Sequence, residues 1–185
     1  MILHRCFAWD ERAGTDRPDG ALWFPRPYQG DGRHDNPDAY GCLYVADREV
    51  SAVVEQLARF RTQRFVSEML VRRGLALALA AVELPDDAVL VDLDDPRVLS
   101  RERLRPSLVA TRSREVTQPQ ALALHDAHAD AAGLRWWSIY ESQWANVTLF
   151  DRAAASLGLA GLRVLEPDDP AVADAAATLG MMRAV

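Results

Sequence analysis

Glu55 is the residue whose setting most invites a chemical reading. It falls among Ala52, Val53, Val54 and Leu57, on or beside the apolar face of a segment with helical spacing. A carboxylate there is either an amphipathic boundary residue reaching water or an acid held half-buried and aimed into a pocket. Upstream, Gly30 and Gly32 permit a close approach of backbone to a ligand. Arg33 beside them presents a planar donor fork of the kind that grips phosphates and carboxylates. Tyr44 sits mid-strand, its ring placed for stacking and its hydroxyl for hydrogen bonding. His125 and His128, beside Asp126 and Asp130 on one helix, could seed a metal site. A solvated polar face is the plainer account of that cluster, and no metal is expected.

Composition removes whole classes of mechanism. All 21 basic residues are arginine, so Schiff-base and lysine-nucleophile chemistry are excluded and a Walker phosphate loop lacks its lysine. An anionic ligand must therefore be held by arginine, helix N-termini or backbone N–H groups. The net charge of −6 argues against a duplex-binding surface. There is no dinucleotide G-x-G-x-x-G, no G-x-S-x-G elbow, no H-E-x-x-H and no cysteine pair at metal spacing. Cys6 and Cys42 lie in apolar contexts and read as reduced, buried strand thiols. The longest apolar run, 75–82, is too short to span a bilayer, and the N-terminus shows no secretory signal. A cytoplasmic protein without membrane association is expected.

The 185 residues suit a single domain, 1–185, with no repeat or linker to divide it. Strands are expected over 2–7, 21–24 and 41–45, and a helix capped by Asp47 runs to about Arg61. A short helix over 66–73 should stop at Gly74, followed by buried strands over 75–84 and 89–93. Asp95-Pro96 opens a helical turn, and Thr117-Gln118-Pro119 starts a helix running to about Ala132. Residues 134–140 and 146–150 read as paired strands, followed by a strand at 163–165 and a helix over 171–179. Strands and helices mingle without βαβ alternation. That predicts an α+β fold with a central, largely antiparallel sheet and flanking helices.

In this frame the motifs fall into a familiar order. Arg5 lies in H-R-C-F, then come Gly32-Arg33-His34-Asp35-Asn36-Pro37, Tyr44-Val45-Ala46 and Glu55. Late in the chain follow Gly133-Leu134-Arg135-Trp136-Trp137-Ser138 and Asn146-Val147-Thr148-Leu149-Phe150. This series, over about residues 2–150, resembles the RES family, named for an arginine, a glutamate and a serine. Two positions depart from the family pattern: His34 stands where an aromatic is usual, and Trp137 stands where many members have proline before the serine. The resemblance implies an ADP-ribosyltransferase-like fold and an enzyme that consumes NAD as substrate, by phosphorolysis, by hydrolysis or by modifying a protein. It also implies the toxin half of a toxin–antitoxin pair, partnered by a helix-turn-helix antitoxin. A homo-oligomer is a further partner state the sequence leaves open. By the same resemblance Glu55 would stabilise the oxocarbenium-like state and hold the ribose hydroxyls, and Arg5 and Arg33 would clamp the pyrophosphate. Tyr44 would pack on nicotinamide or its ribose, and Ser138 would orient a ribose or amide group, with Thr117 and Gln118 as rivals for the serine role. Trp136, Trp137 and Trp144 either line the pocket or fill core and interface. A catalytically silent binding module on the same fold is the competing reading.

Overall fold

The computed structural model describes residues 1–182. Its strands are β1 (Ile2–Ala8), β2 (Cys42–Ala46), β3 (Val71–Arg72), β4 (Leu75–Glu83), β5 (Leu90–Asp92), β6 (Gly133–Trp137), β7 (Ala145–Phe150) and β8 (Gly158–Val164). Its helices are α1 (Glu49–Leu57), α2 (Pro96–Arg101), α3 (Pro106–Val109), α4 (Arg114–Ala127) and α5 (Pro170–Thr178). The strand order is β3-β4-β1-β2-β7-β6-β5, with β8 also paired to β4. The pairings β1–β2, β1–β4, β3–β4, β4–β8 and β6–β7 are antiparallel, and β5–β6 is parallel. This is the α+β class expected, with a largely antiparallel sheet and flanking helices.

By internal contacts the chain divides into two compact units, one of residues 1–23, 45–84 and 158–185 and one of residues 24–44 and 85–157. In the first, β4 is the spine. It pairs along β1 from Ile2↔Glu83 to Ala8↔Leu77 and along β8 from Ala78↔Val164 to Glu83↔Gly158. Its run of Leu77, Ala78, Leu79, Ala80 and Val82 is buried on both faces, which an unbroken apolar strand requires. Helix α1 packs on β1 and α5, inserting Val53, Val54 and Leu57, none of them exposed.

In the second unit β7 pairs with β6 from Gly133↔Leu149 to Trp137↔Ala145, and β5 lies parallel to β6. A core of Tyr40, Cys42, Val91, Leu99, Leu134, Trp136 and Phe150 is closed by Ala121 and Leu124 of α4. Asp95 caps α2 by accepting from Arg97 N–H at 2.8 Å, with Pro96 in the first turn, as the sequence predicts. Both cysteines are free and buried.

Several local expectations are corrected. Residues 21–24 form a turn, not a strand; Leu22 N–H donates to Thr15 O at 2.7 Å. Helix α1 begins after Arg48 rather than Asp47 and has no side-chain cap. The short helix expected over 66–73 is a single 3-10 turn, Ser67–Leu70, and Gly74 does not stop it. Arg73 (φ 55°) and Gly74 (φ 79°) are the two central residues of the β3–β4 hairpin. Positive φ at both positions gives a type I′ turn, which glycine adopts freely. Helix α4 starts at Arg114 and carries Pro119 inside it. Thr117, expected at the helix start, lies inside α4, and its hydroxyl donates to Arg33 O at 2.6 Å.

Candidate functional site

The segment 30–36 is folded around the buried carboxylate of Asp35. One of its oxygens accepts from Gly30 N–H at 2.9 Å and Gly32 N–H at 2.6 Å. The other accepts from the Tyr44 hydroxyl at 2.7 Å. Tyr44 in turn accepts from His34 N–H at 3.0 Å. A Cβ on Gly32 would stand 2.5 Å from both Asp35 Oδ1 and the Tyr44 hydroxyl. The glycine is needed there for the protein's own packing, and its N–H already has an acceptor. Tyr44 likewise does not offer the ready hydroxyl that the sequence suggested. Burial and the neighbouring Asp35 push its ionisation well above the ordinary tyrosine range.

Helix α4 braces this loop from the other side. Thr117 holds Arg33 O, and Gln118 Nε2 donates to Gly30 O at 2.8 Å and Gly32 O at 2.9 Å. The two rivals for the serine role therefore support backbone. The Arg33 guanidinium lies 4.7 Å from the centre of the Trp136 ring, and its Nη1 donates to Val109 O at 2.9 Å and to Thr111 O. Half-buried itself, it is a fixed positive charge on a buried aromatic ring, a position from which to attract an anion. Ser138 follows β6, is buried, and its hydroxyl accepts from Tyr140 N–H at 3.2 Å. Trp136 is buried in the core while Trp137 packs against it half-exposed.

The remaining candidates belong to the other unit. Arg5 is buried, stacks 4.5 Å from the centre of Phe7, and donates from Nη1 to Gly20 O at 2.9 Å and Ala21 O at 2.6 Å. Burial pulls its guanidinium down to about 10, still charged at neutral pH. Glu55 is exposed, not half-buried. Val53, Val54 and Leu57 define the inward face of α1, and at 100° per residue Glu55 falls on the side away from it. Thus Arg33, Tyr44, Thr117 and Gln118 are brought together around one loop, with Ser138 in the same unit. Arg5 and Glu55 lie on neighbouring elements of the other.

His34, Asp35 and Thr148 carry much of this architecture and had been given no role from sequence. Asp35 had a usable signal, since an aspartate in a glycine-rich turn commonly hydrogen-bonds nearby backbone. Thr148 had none, because its place beside Trp136 depends on the β6–β7 register. His125 is not on a solvated face: it stacks 4.4 Å from Tyr40 and meets Phe150 edge-on at 4.9 Å. His128 Nε2 lies 3.1 Å from Glu102. Among the described residues no group of three His, Cys, Asp or Glu side chains is placed to hold a metal ion, and no helix is long and apolar enough to cross a membrane.

The fold defines a class first, an α+β sheet protein with flanking helices. The crystal structure of the M. tuberculosis MbcT–MbcA toxin–antitoxin complex has the same fold, with a TM-score of 0.61 over 90% of this chain and 84% of that chain at 19% identity. The RES domain family model then matches residues 3–169, and the chain belongs to the RES domain family. No curated protein matched it.

Proposed function

We propose that this protein is an NAD-consuming enzyme that breaks the nicotinamide–ribose bond, and that it is the toxin of a toxin–antitoxin pair. The observation that carries the reading is RES family membership over residues 3–169, nearly the whole chain. The fold shared with a toxin solved in complex with its antitoxin supports the second half.

In this reading residues 1–185 act as one cytoplasmic functional domain. Heterolysis of the glycosidic bond leaves positive charge on the ribose, releases nicotinamide, and lets phosphate or water add at the same carbon. Glu55 stabilises that charge and holds the ribose hydroxyls; a contact of this kind contributes about 10²-fold in rate. The exposure of Glu55 suits a group that must meet substrate. Arg33 attracts the pyrophosphate from its place on Trp136, and Arg5 adds a second charge. The Tyr44 ring packs on the nicotinamide end, and Ser138 orients a ribose or amide group. The natural inhibitor is a helix-turn-helix antitoxin protein.

Purified protein incubated with NAD, with and without phosphate, tests this. Nicotinamide release with ADP-ribose or its 1″-phosphate is expected, abolished by Glu55→Gln. Label transferred to a protein instead would make the enzyme an ADP-ribosyltransferase. Absence of turnover would leave a silent binding module.

A further inference from the structure

His34 stands where the family resemblance leads one to expect an aromatic, and it keeps that role while adding a polar one. Its ring meets Trp136 edge-on, 5.5 Å between centres and 79° between planes. The residue is buried, 3% exposed. Its Nδ1 lies 2.9 Å from Thr148 Oγ1, which also accepts from Trp136 Nε1–H at 3.2 Å.

These contacts fix the tautomer. Thr148 is fully buried, so its hydroxyl proton needs an acceptor, and His34 Nδ1 is the one within reach. The hydrogen bonds then run from Trp136 N–H to the Thr148 oxygen, and from the Thr148 O–H to a bare Nδ1. The ring proton must sit on Nε2. Among the described residues the only buried side-chain nitrogen or oxygen without a partner is His4 Nδ1. His34 Nε2 has no protein acceptor among them and is not sealed off completely, so it keeps a narrow opening to solvent although the residue is 3% exposed. Burial and the charge of Arg33 depress the ring to about 3, so it stays neutral at physiological pH. A polarised N–H emerges from an otherwise dry ring, beside an arginine that shares the Trp136 platform.

We infer that His34 is a specificity-determining hydrogen-bond donor that presents Nε2–H to a phosphoryl oxygen of the ligand drawn in by Arg33. This rests on the NAD-consuming reading. The oxygen belongs either to the dinucleotide pyrophosphate or to an inorganic phosphate acceptor, and the two arms of the test separate these sources. A neutral donor of this type acts before and during reaction alike, so its loss raises KM and spares kcat.

The test compares wild type, His34→Phe, His34→Gln and Thr148→Val, with NAD and inorganic phosphate varied in turn. His34→Phe keeps the aromatic edge and removes the donor; a KM increase of about tenfold is expected with kcat within about twofold. An increase confined to NAD assigns the oxygen to the pyrophosphate, and one confined to phosphate assigns it to the acceptor. His34→Gln, which restores an amide N–H near Nε2, should recover most of the loss, a rescue that a packing role would not produce. Nitrogen-15 NMR of the wild-type ring should show the proton on Nε2, and Thr148→Val should yield a mixture of tautomers. Wild-type turnover with unchanged KM in His34→Phe, or a proton found on Nδ1, overturns the inference while leaving the NAD reading intact. Absence of wild-type turnover removes both.

Discussion

Asp35 and Glu55 are both carboxylates in the segment that carries the family motifs, and the structure treats them in opposite ways. Asp35 is buried and accepts from two backbone N–H groups and a tyrosine hydroxyl. Glu55 is exposed on the side of its helix away from the buried Val53, Val54 and Leu57. One carboxylate holds a loop in shape; the other is left at the surface. The contrast shows that acid residues near a motif are not equivalent evidence for catalysis, and that burial separates the acid that shapes a loop from the one open to a ligand.

The largest effect should come from Asp35→Ala. It strands two loop N–H groups and the Tyr44 hydroxyl in a buried setting, at a cost of about 3 kcal/mol. Thermal denaturation should register it as a fall in Tm of roughly 6–12 °C. Glu55→Gln should do the reverse, lowering NAD turnover by about 10²-fold or more while changing stability by no more than about 0.5 kcal/mol. If Glu55→Gln instead unfolds the protein, or Asp35→Ala leaves the melting curve untouched, the contrast is lost. Tyr44→Phe removes the hydroxyl that joins Asp35 to His34 N–H and should cost about 1–2 kcal/mol in chemical denaturation.

The smallest effect is a pH dependence. The folded His34 ring stays neutral down to about pH 3, whereas the unfolded one takes up a proton below its ordinary 6.5. Between those values the unfolded state binds more protons, so stability rises with pH through the window and is flat above it. Lowering pH from 6 to 5 should cost about 1 kcal/mol through this group. His4, whose ring burial also depresses, adds to the raw slope. The difference between wild type and His34→Phe isolates the His34 share; a difference that does not change with pH would show that the ring is not held in a dry setting.

What could be read from sequence followed period and punctuation. The unbroken apolar run in Leu75–Glu83, the Asp95-Pro96 start and the β6–β7 pair announced themselves locally. The failures were places where a local signal served a distant partner. Thr117 looked like a helix start but lies inside α4 and holds the Arg33 carbonyl, and Gly74 looked like a helix stop but turns a hairpin. Within the candidate site, the identities of Arg5, Arg33, Tyr44 and Glu55 were legible as motif members, but their surroundings were not. Whether a hydroxyl or N–H is already engaged depends on three-dimensional neighbours such as Asp35, and no spacing rule reports them.

The interleaving of the two units has a consequence for synthesis on the ribosome. Residues 24–44 and 85–157 are all made before β8 and α5, so the first unit must wait for its final segment while the second has its full complement. Until then one margin of β4, a nine-residue strand of leucine, alanine and valine ending in one glutamate, lacks its full partner. Bare apolar margins of that kind invite association between nascent chains. A version truncated before residue 158 should accordingly accumulate in inclusion bodies.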